Sequence, residues 1–141
     1  MTLFTDKMTV YNHYTDENGD DRWARHVIKH IQWRNMIVQA ANSDGIITAT
    51  RSKSITIDFS HNKQQNFLTA SEYERTGQYT AHWTLNAEGD MDVLVQGECD
   101  VEITDEYTIT NLIKEYGAVT IKSVADNRNR RLLQNIKVVA Q

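Results

Sequence analysis

A chain of 141 residues in which 40% are hydrophobic and 24% are charged fits the globular class and not the disordered one, and we expect a single domain over residues 1–141. The formal net charge of −4 argues against sequence-independent DNA binding by the whole surface. No apolar run approaches the roughly 20 residues of a membrane span. The N-terminal sequence predicts no signal peptide, and no membrane partner is expected.

The first part of the chain predicts two strands joined by a polar turn. Residues 8–14 are rich in β-branched and aromatic types, and residues 16–21 have the composition of a turn. Residues 23–33 then predict a long second strand. Because this segment carries apolar side chains on both sides, we expect it to be curved or to contain a bulge near Ile28.

A hairpin is predicted next in the chain. The turn sequence Asn-Ser-Asp-Gly at 42–45 separates two strand-like segments, 36–41 and 46–51. Apolar and polar residues then alternate over 55–59, which is the clearest strand pattern in the chain. The polar residues 60–66 are expected to form a loop.

Two short helices are predicted in the remainder. Over residues 69–76, Thr69 precedes Glu72 with the spacing of a capping box, and Gly77 is suited to end the helix. A second helix face is formed by Ile109, Leu112, Ile113 and Tyr116, followed by Gly117. The remaining strands are predicted at 79–85, 91–96, 118–124 and 133–139.

The whole pattern contains roughly seven to nine short strands at roughly 8–12-residue spacing, with one or two short helices. It predicts a mainly β fold, either a small partly open β-barrel or a sandwich. The edge strands of a partly open barrel would offer hydrogen-bonding groups to a neighbouring copy.

We find no residue pattern that predicts a catalytic, cofactor-binding or metal site. Asp16, Asn18 and Asp20 alternate as in a calcium loop. The sixth and twelfth positions of that loop require Gly and Glu, but Asp21 and Val27 occupy them, so a polar hairpin turn is the better interpretation.

The histidines and the single cysteine are also interpreted as structural. His26 and His30 would lie ~13 Å apart on one face of a strand, too far to chelate one ion together. Cys99 is flanked by Glu98 and Asp100, and neighbouring carboxylates suppress thiolate formation. We therefore expect no reactive nucleophile there.

Two clusters of opposite charge remain. In the acidic cluster, carboxylates alternate with Cys99 and Val101, as on the solvent-facing side of a strand. Paired carboxylates could also serve glycoside hydrolysis. A solvated face is the better interpretation. The basic one is a predicted hairpin turn. Copies of the chain could join head-to-tail through these clusters, a geometry that makes a ring when the rotation closes. The predicted subunit-interface residues are Glu98, Asp100, Glu102, Arg128, Arg130 and Arg131.

The three tryptophans, Trp23, Trp33 and Trp83, have two interpretations. They would anchor a small β core or an interface, which is their commoner role, or serve as stacking platforms for a sugar. A carbohydrate-binding β-sandwich is therefore an alternative function.

The sequence resembles small structural proteins of tailed phages and prophages of Gram-positive bacteria. The runs that carry the resemblance are His82-Trp83-Thr84-Leu85, Val95-Gln96-Gly97-Glu98, 102–107, 111–116 and 123–128. More distantly, the layout is similar to that of head–tail joining or head-closure proteins, which are small β-barrels that form rings beneath the portal. A long inserted loop is typical of such barrels, and either 35–54 or 60–71 would be that loop.

The resemblance implies a non-enzymatic virion protein of minor-capsid type, a head–tail connector subunit acting as a head-closure, stopper or adaptor protein. It implies a homo-oligomeric ring, portal or adaptor and tail proteins as partners, phage DNA nearby in the channel, and no cofactor. The protein would be found in the virion, and in the host cytoplasm during assembly. A tail-completion or minor tail protein is the alternative within the same class.

Overall fold

Six strands account for most of the regular structure in the computed structural model, which describes residues 4–60 and 64–141, without the side chains of residues 38, 40, 48 and 50. The strands are β1 (Asp6–Thr15), β2 (Asp21–Ala41), β3 (Ile47–Asp58), β4 (Val93–Gln96), β5 (Val119–Asp126) and β6 (Asn135–Ala140). The helices are α1 (Ala70–Thr76), α2 (Ile109–Tyr116) and a single 3-10 turn at Glu88–Asp90.

The sheet closes on itself. Its strands follow the order β1-β2-β3-β6-β5-β4, and all neighbouring pairs are antiparallel. The closing pair joins β1 to β4, with Met8 opposite Gln96 and Tyr11 opposite Val93. The predicted mainly β fold with two short helices is confirmed, and its architecture is a closed barrel, where the sequence pattern left a partly open barrel or a sandwich.

The strands are fewer and longer than the turn spacing predicted. Two pairs of predicted strands are each one continuous strand: 23–33 with 36–41 in β2, and 46–51 with 55–59 in β3. These strands pair with each other in an unbroken register from Ile31 opposite Ile57 to Ala41 opposite Ile47. Cross-strand pairing therefore carries the chain through polar stretches that have weak strand preference on their own.

The predicted strand over 79–85 is wrong. This segment is irregular, and its strand-type pairing among the described residues is a single bridge between Phe67 and Trp83. Its backbone hydrogen bonds run from Trp83 N to Asn66 O at 3.0 Å and from Leu68 N to Trp83 O at 2.9 Å. The apolar residues alternate because Trp83 and Leu85 pack in the barrel interior, not because the segment pairs with a neighbouring strand.

Both predicted helices form, and the expected caps are present at Thr69, Gly77 and Gly117. The Thr69 hydroxyl accepts a hydrogen bond from Glu72 N at 3.4 Å, and Thr69 N donates to Glu72 Oε1 at 3.2 Å. Gly77 and Gly117 end α1 and α2 in the left-handed conformation, with φ of 68° and 66°. Of the predicted face of α2, Leu112 is fully buried.

A bulge separates two parts of β2. Lys7 lies opposite Lys29 and Asp6 opposite Ile31. His30 between them is therefore the extra residue of the bulge, and it has a left-handed φ of 61°. The bulge predicted near Ile28 thus occurs slightly further along the strand. Past it, β2 leaves β1 and continues beside β3 alone.

Two apolar clusters form because side chains alternate between the faces of each strand. The barrel interior is filled by Met8, Val10, Ile28, Ile31, Trp33, Ile55, Ile57, Trp83, Leu85, Leu94, Ile121, Ile136, Val138 and Ala140. A smaller cluster lies on the outer face of β1 and β4 beneath α2: Tyr11, Val93, Val95, Cys99, Leu112 and Ala118. The second cluster gives the barrel one side that is covered by further chain.

Candidate interface surfaces and a polar cleft

A long hairpin extends beyond the barrel. The β1–β2 register reaches only Ile31, and the β3–β6 register begins only at Lys53. Among the described residues, 36–41 and 47–52 therefore pair only with each other. The Asn42 side chain closes the tip by accepting hydrogen bonds from the backbone of Asp44 and Ile46, each at 3.0 Å.

The hairpin carries exposed apolar side chains. Ile37, Ile46 and Ile47 are 66%, 59% and 69% exposed. Of the two segments considered as an inserted loop, 35–54 forms this hairpin, and 60–71 includes 61–63, which lie outside the described residues. Exposed isoleucines at the end of a two-stranded arm are suited to contact with another molecule.

The acidic segment, residues 97–108, runs along the outer face of β1 and β2 without forming a strand. It alternates as the sequence predicted, with Glu98, Asp100 and Glu102 exposed and Cys99 buried at 4% exposure. Three ion pairs fasten it to the barrel: Glu98 to Lys7 at 3.1 Å, Glu102 to Arg25 at 3.0 Å and Asp105 to Arg22 at 3.4 Å.

Side chains of β1 hold the backbone of the acidic segment in place. The Thr9 hydroxyl donates to Gly97 O at 2.9 Å and accepts from Cys99 N at 2.8 Å. The Tyr11 hydroxyl donates to Val101 O at 2.7 Å, and burial raises the pKa of Tyr11, so it remains a donor. These bonds replace strand pairing, which explains why an alternating segment is not a strand.

The arginine turn, residues 127–134, divides the predicted arginines into two kinds. Arg128 folds back onto Asp126, with Nε 2.9 Å from Oδ1 and Nη2 2.8 Å from Oδ2, and its guanidinium lies 4.8 Å from the centre of the Phe67 ring. This pairing lowers the pKa of Asp126. Arg130 and Arg131 are exposed instead.

Two leucines follow the exposed arginines. Leu132 and Leu133 are 78% and 68% exposed. The tip of the arginine turn thus presents two cationic and two large apolar side chains together.

The predicted charge clusters lie on opposite sides of the barrel and are not brought together within one chain. In a closed ring of six strands, strands three places apart face each other across the interior. The observed order sets β6 across from β1 and β5 across from β2. The acidic segment covers β1 and β2, whereas the arginine turn connects β5 to β6. Two exposed apolar side chains of α2, Ile113 and Tyr116, lie on the acidic side.

A cleft of about 510 Å³ opens where β1 ends and β4 begins. Tyrosine rings form part of its wall: Tyr14 and Tyr79 stack at 4.8 Å with planes 15° apart, and Tyr73 lies 5.2 Å from Tyr79. Sequence reasoning missed this cleft because its walls come from distant segments.

A buried polar network lies beneath the cleft. Asp92 is 3% exposed and accepts hydrogen bonds from Asn12 Nδ2 at 2.8 Å and from His13 N at 2.9 Å. Burial raises the pKa of Asp92 to about 6, against the lowering effect of these hydrogen bonds. The available signal was Asn12, a polar residue on the inward face that Met8 and Val10 define.

The residues considered for metal binding do not form a metal site. The Asp16 carboxylate accepts from the backbone of Asn18 and Asp20 and from Arg22 Nε, each at 2.9 Å, so its spacing closes a turn. His26 is half-buried and His30 is exposed at the bulge. Within residues 4–60 and 64–141, no group of three or more His, Cys, Asp or Glu side chains could hold a metal ion.

The tryptophans mostly belong to the core. Trp33 and Trp83 are 9% and 3% exposed and pack in the barrel interior. Trp23 is half-buried, and its Nε1 donates to Met91 O at 2.9 Å. A stacking platform for a sugar needs an open ring face, which Trp33 and Trp83 do not offer.

The chain belongs to the family of unknown function DUF6751, whose model matches residues 3–141. No curated protein matches it. In the part of the chain that the structure describes, neither helix has the length and apolar character needed to cross a membrane.

Proposed function

We propose that this member of the DUF6751 family is a non-enzymatic virion structural protein of a tailed phage or prophage, a head–tail connector subunit that acts within a homo-oligomeric ring. The observation that carries the proposal is the separation of the two charged surfaces, with the acidic segment on β1 and β2 and the arginine turn at the connection of β5 and β6, the strands across the closed barrel. A contact between one surface of a subunit and a different surface of the next is heterologous, and such contacts form a ring when the rotation between neighbours closes.

The two sides match in apolar character as well as in charge. The arginine turn offers Arg130 and Arg131, a residue type enriched at interfaces, and the exposed Leu132 and Leu133 add apolar surface beside them. The opposite side offers the acidic segment beside the exposed part of α2. Ion pairs of exposed side chains contribute only about 0–1 kcal/mol, so those of Glu98 and Glu102 can be exchanged for contacts with a neighbour.

The hairpin supplies a contact in a different direction. It extends from the end of the barrel at which β3 begins, whereas the arginine turn lies at the end at which β3 terminates and the acidic segment lies on the outer face of β1 and β2. In the proposed ring, it docks onto the adjoining portal, adaptor or tail protein, and the channel of the ring holds the phage DNA. The resemblance of the sequence to structural proteins of tailed phages supports this class of partner.

Locating the labelled protein in virions by electron microscopy tests the proposal. We expect the label at the junction of head and tail. A label elsewhere on the tail would favour the tail-completion or minor tail alternative, and the absence of the protein from virions would contradict the proposal.

Charge reversal tests the ring contact. Arg130→Glu with Arg131→Glu reverses the exposed arginines and leaves the Arg128–Asp126 pair intact. We expect this variant to be incorporated poorly into virions, measured by immunoblotting of purified particles. Arg75→Glu with Lys137→Glu makes the same charge change at exposed positions outside the arginine turn, the acidic segment and the hairpin, and this variant should be incorporated normally. Equal incorporation of the two variants would refute this contact.

Excision of the hairpin tests the second contact. Replacing residues 37–51 by an Asn-Gly turn joins Met36 to Ser52, which are already paired. The barrel should still fold, because β6 pairs with β3 only from Lys53 onward. We expect a stable protein, judged by urea unfolding, that no longer enters virions. A stable excised variant that assembles normally would show that the hairpin is dispensable.

A further inference from the structure

The cleft at the junction of β1 and β4 is independent of the charged sides and of the hairpin. Its wall carries three carboxyl groups, from Glu74, Glu88 and Asp92, and no lysine or arginine among the described residues. The only basic side chain in the lining is His13, whose Nε2 is already 2.7 Å from Asp21 Oδ1. The lining is therefore anionic.

A second observation points to a ligand in the cleft. Thr84 lines it and is 1% exposed, and its hydroxyl oxygen has no hydrogen-bond partner in the described structure. The backbone of Thr84, in contrast, is fully engaged, since both its N and its O bond to the Asn12 side chain. Leaving a buried hydroxyl without a partner is costly, and a donor group of a ligand would satisfy it.

We infer that this cleft binds an organic cation, an ammonium or guanidinium group held between the tyrosine rings and the carboxylates. Tyr14 and Tyr79 are half-buried, and the electron-rich ring faces that they do not stack on each other attract a cation. Tyr73 is 3% exposed and packs against Tyr79. Thr84 Oγ1 accepts a hydrogen bond from the ligand N–H. Such a group could belong to a free polyamine or to a basic side chain of another protein, and the chemistry of recognition is the same.

Calorimetric titration of the intact protein near neutral pH tests the inference, with agmatine as the guanidinium probe and n-butanol as the neutral comparator. We expect agmatine to bind and n-butanol not to bind. Spermidine and an N-acetyl-arginine amide then separate the two sources: tighter binding of spermidine indicates a free polyamine, and tighter binding of the capped arginine indicates a protein side chain. Agmatine binding no tighter than n-butanol would overturn the inference.

Substitutions localise the binding. Glu88→Gln changes an exposed residue of the cleft and should weaken agmatine about two- to fivefold, and Tyr79→Leu, which removes a ring, should weaken it about two- to fivefold. Glu106→Gln removes an exposed carboxylate outside the cleft and should leave binding unchanged. An equal loss in Glu106→Gln and Glu88→Gln would show that the cation binds through net charge alone and would overturn the site. Because the assay needs no virion, its result is separate from that of the ring proposal.

Discussion

Replacement of the buried carboxyl group beneath the cleft gives a quantitative test of the fold. Asp92 has a pKa of about 6 in the folded chain against 3.8 for the unperturbed group, mainly because of desolvation. The folded chain thus holds this proton more tightly than the unfolded chain. The group stabilises the fold below about pH 4, and that contribution is lost as the pH rises through about 6. The difference between the two pKa values corresponds to about 3 kcal/mol.

The variant Asp92→Asn isolates this contribution. Other carboxylates, such as Asp16 and Asp126, have lowered pKa values and act in the opposite direction, so the wild-type pH profile alone would mix the effects. The asparagine also changes the hydrogen bonds with Asn12 and His13, but that cost is independent of pH and appears as a constant offset. Only the pH dependence of the stability difference reports the buried charge.

Urea unfolding of both proteins at several pH values between about 4 and about 7 measures the difference. We expect the stability of Asp92→Asn relative to wild type to improve by about 2–3 kcal/mol over this range. Asp100→Asn, at an exposed position, controls for the loss of one negative charge. A difference that stays constant with pH would refute the assignment of a buried, desolvated carboxyl at this position.

Five further substitutions test separate parts of the fold by urea unfolding. Tyr11→Phe removes the hydrogen bond to Val101 O and should cost about 1 kcal/mol, and an unchanged midpoint would contradict a rigid acidic segment. Thr69→Ala removes the cap of α1 and should cost about 1 kcal/mol, whereas Thr69→Ser should retain most of that stability. Ile57→Ala in the core should lower the free energy of unfolding by about 2–5 kcal/mol. Ile37→Ala on the hairpin should change it by less than about 0.5 kcal/mol. Similar losses of stability in the two variants would contradict the placement of the hairpin outside the core.

Features determined by a few neighbouring residues were predictable from the sequence. Thr69, Glu72 and Gly77 fix both ends of α1, and the capping hydrogen bonds join residues three apart in the chain. The turn at Asn42 forms as expected because its side chain caps the backbone within the same turn. In these places local chemistry and the final structure agree.

Features that depend on distant contacts could not be derived in this way. Asn12 and Asp92 are 80 positions apart, and only closure of β1 against β4 brings them together. Arg128 was expected to contact a neighbouring subunit, but its guanidinium packs over the ring of Phe67. No residue pattern near Arg128 predicts that contact, because Phe67 is distant in the sequence. The same reason applies to the cleft, whose wall combines residues of β1, α1 and the segment before β4.

Closure of the barrel changes how a ring of these subunits must be held together. A partly open barrel would lend its edge strands to a neighbour, but all six strands here have partners on both sides within the barrel. Lateral contacts therefore depend on side chains, which fits the charged and apolar groups on the opposite sides. Among the described residues, unpaired strand edges remain on the hairpin, along 34–41 and 47–52. Any strand added by a partner would have to pair there, so the hairpin is where backbone-mediated docking should be sought.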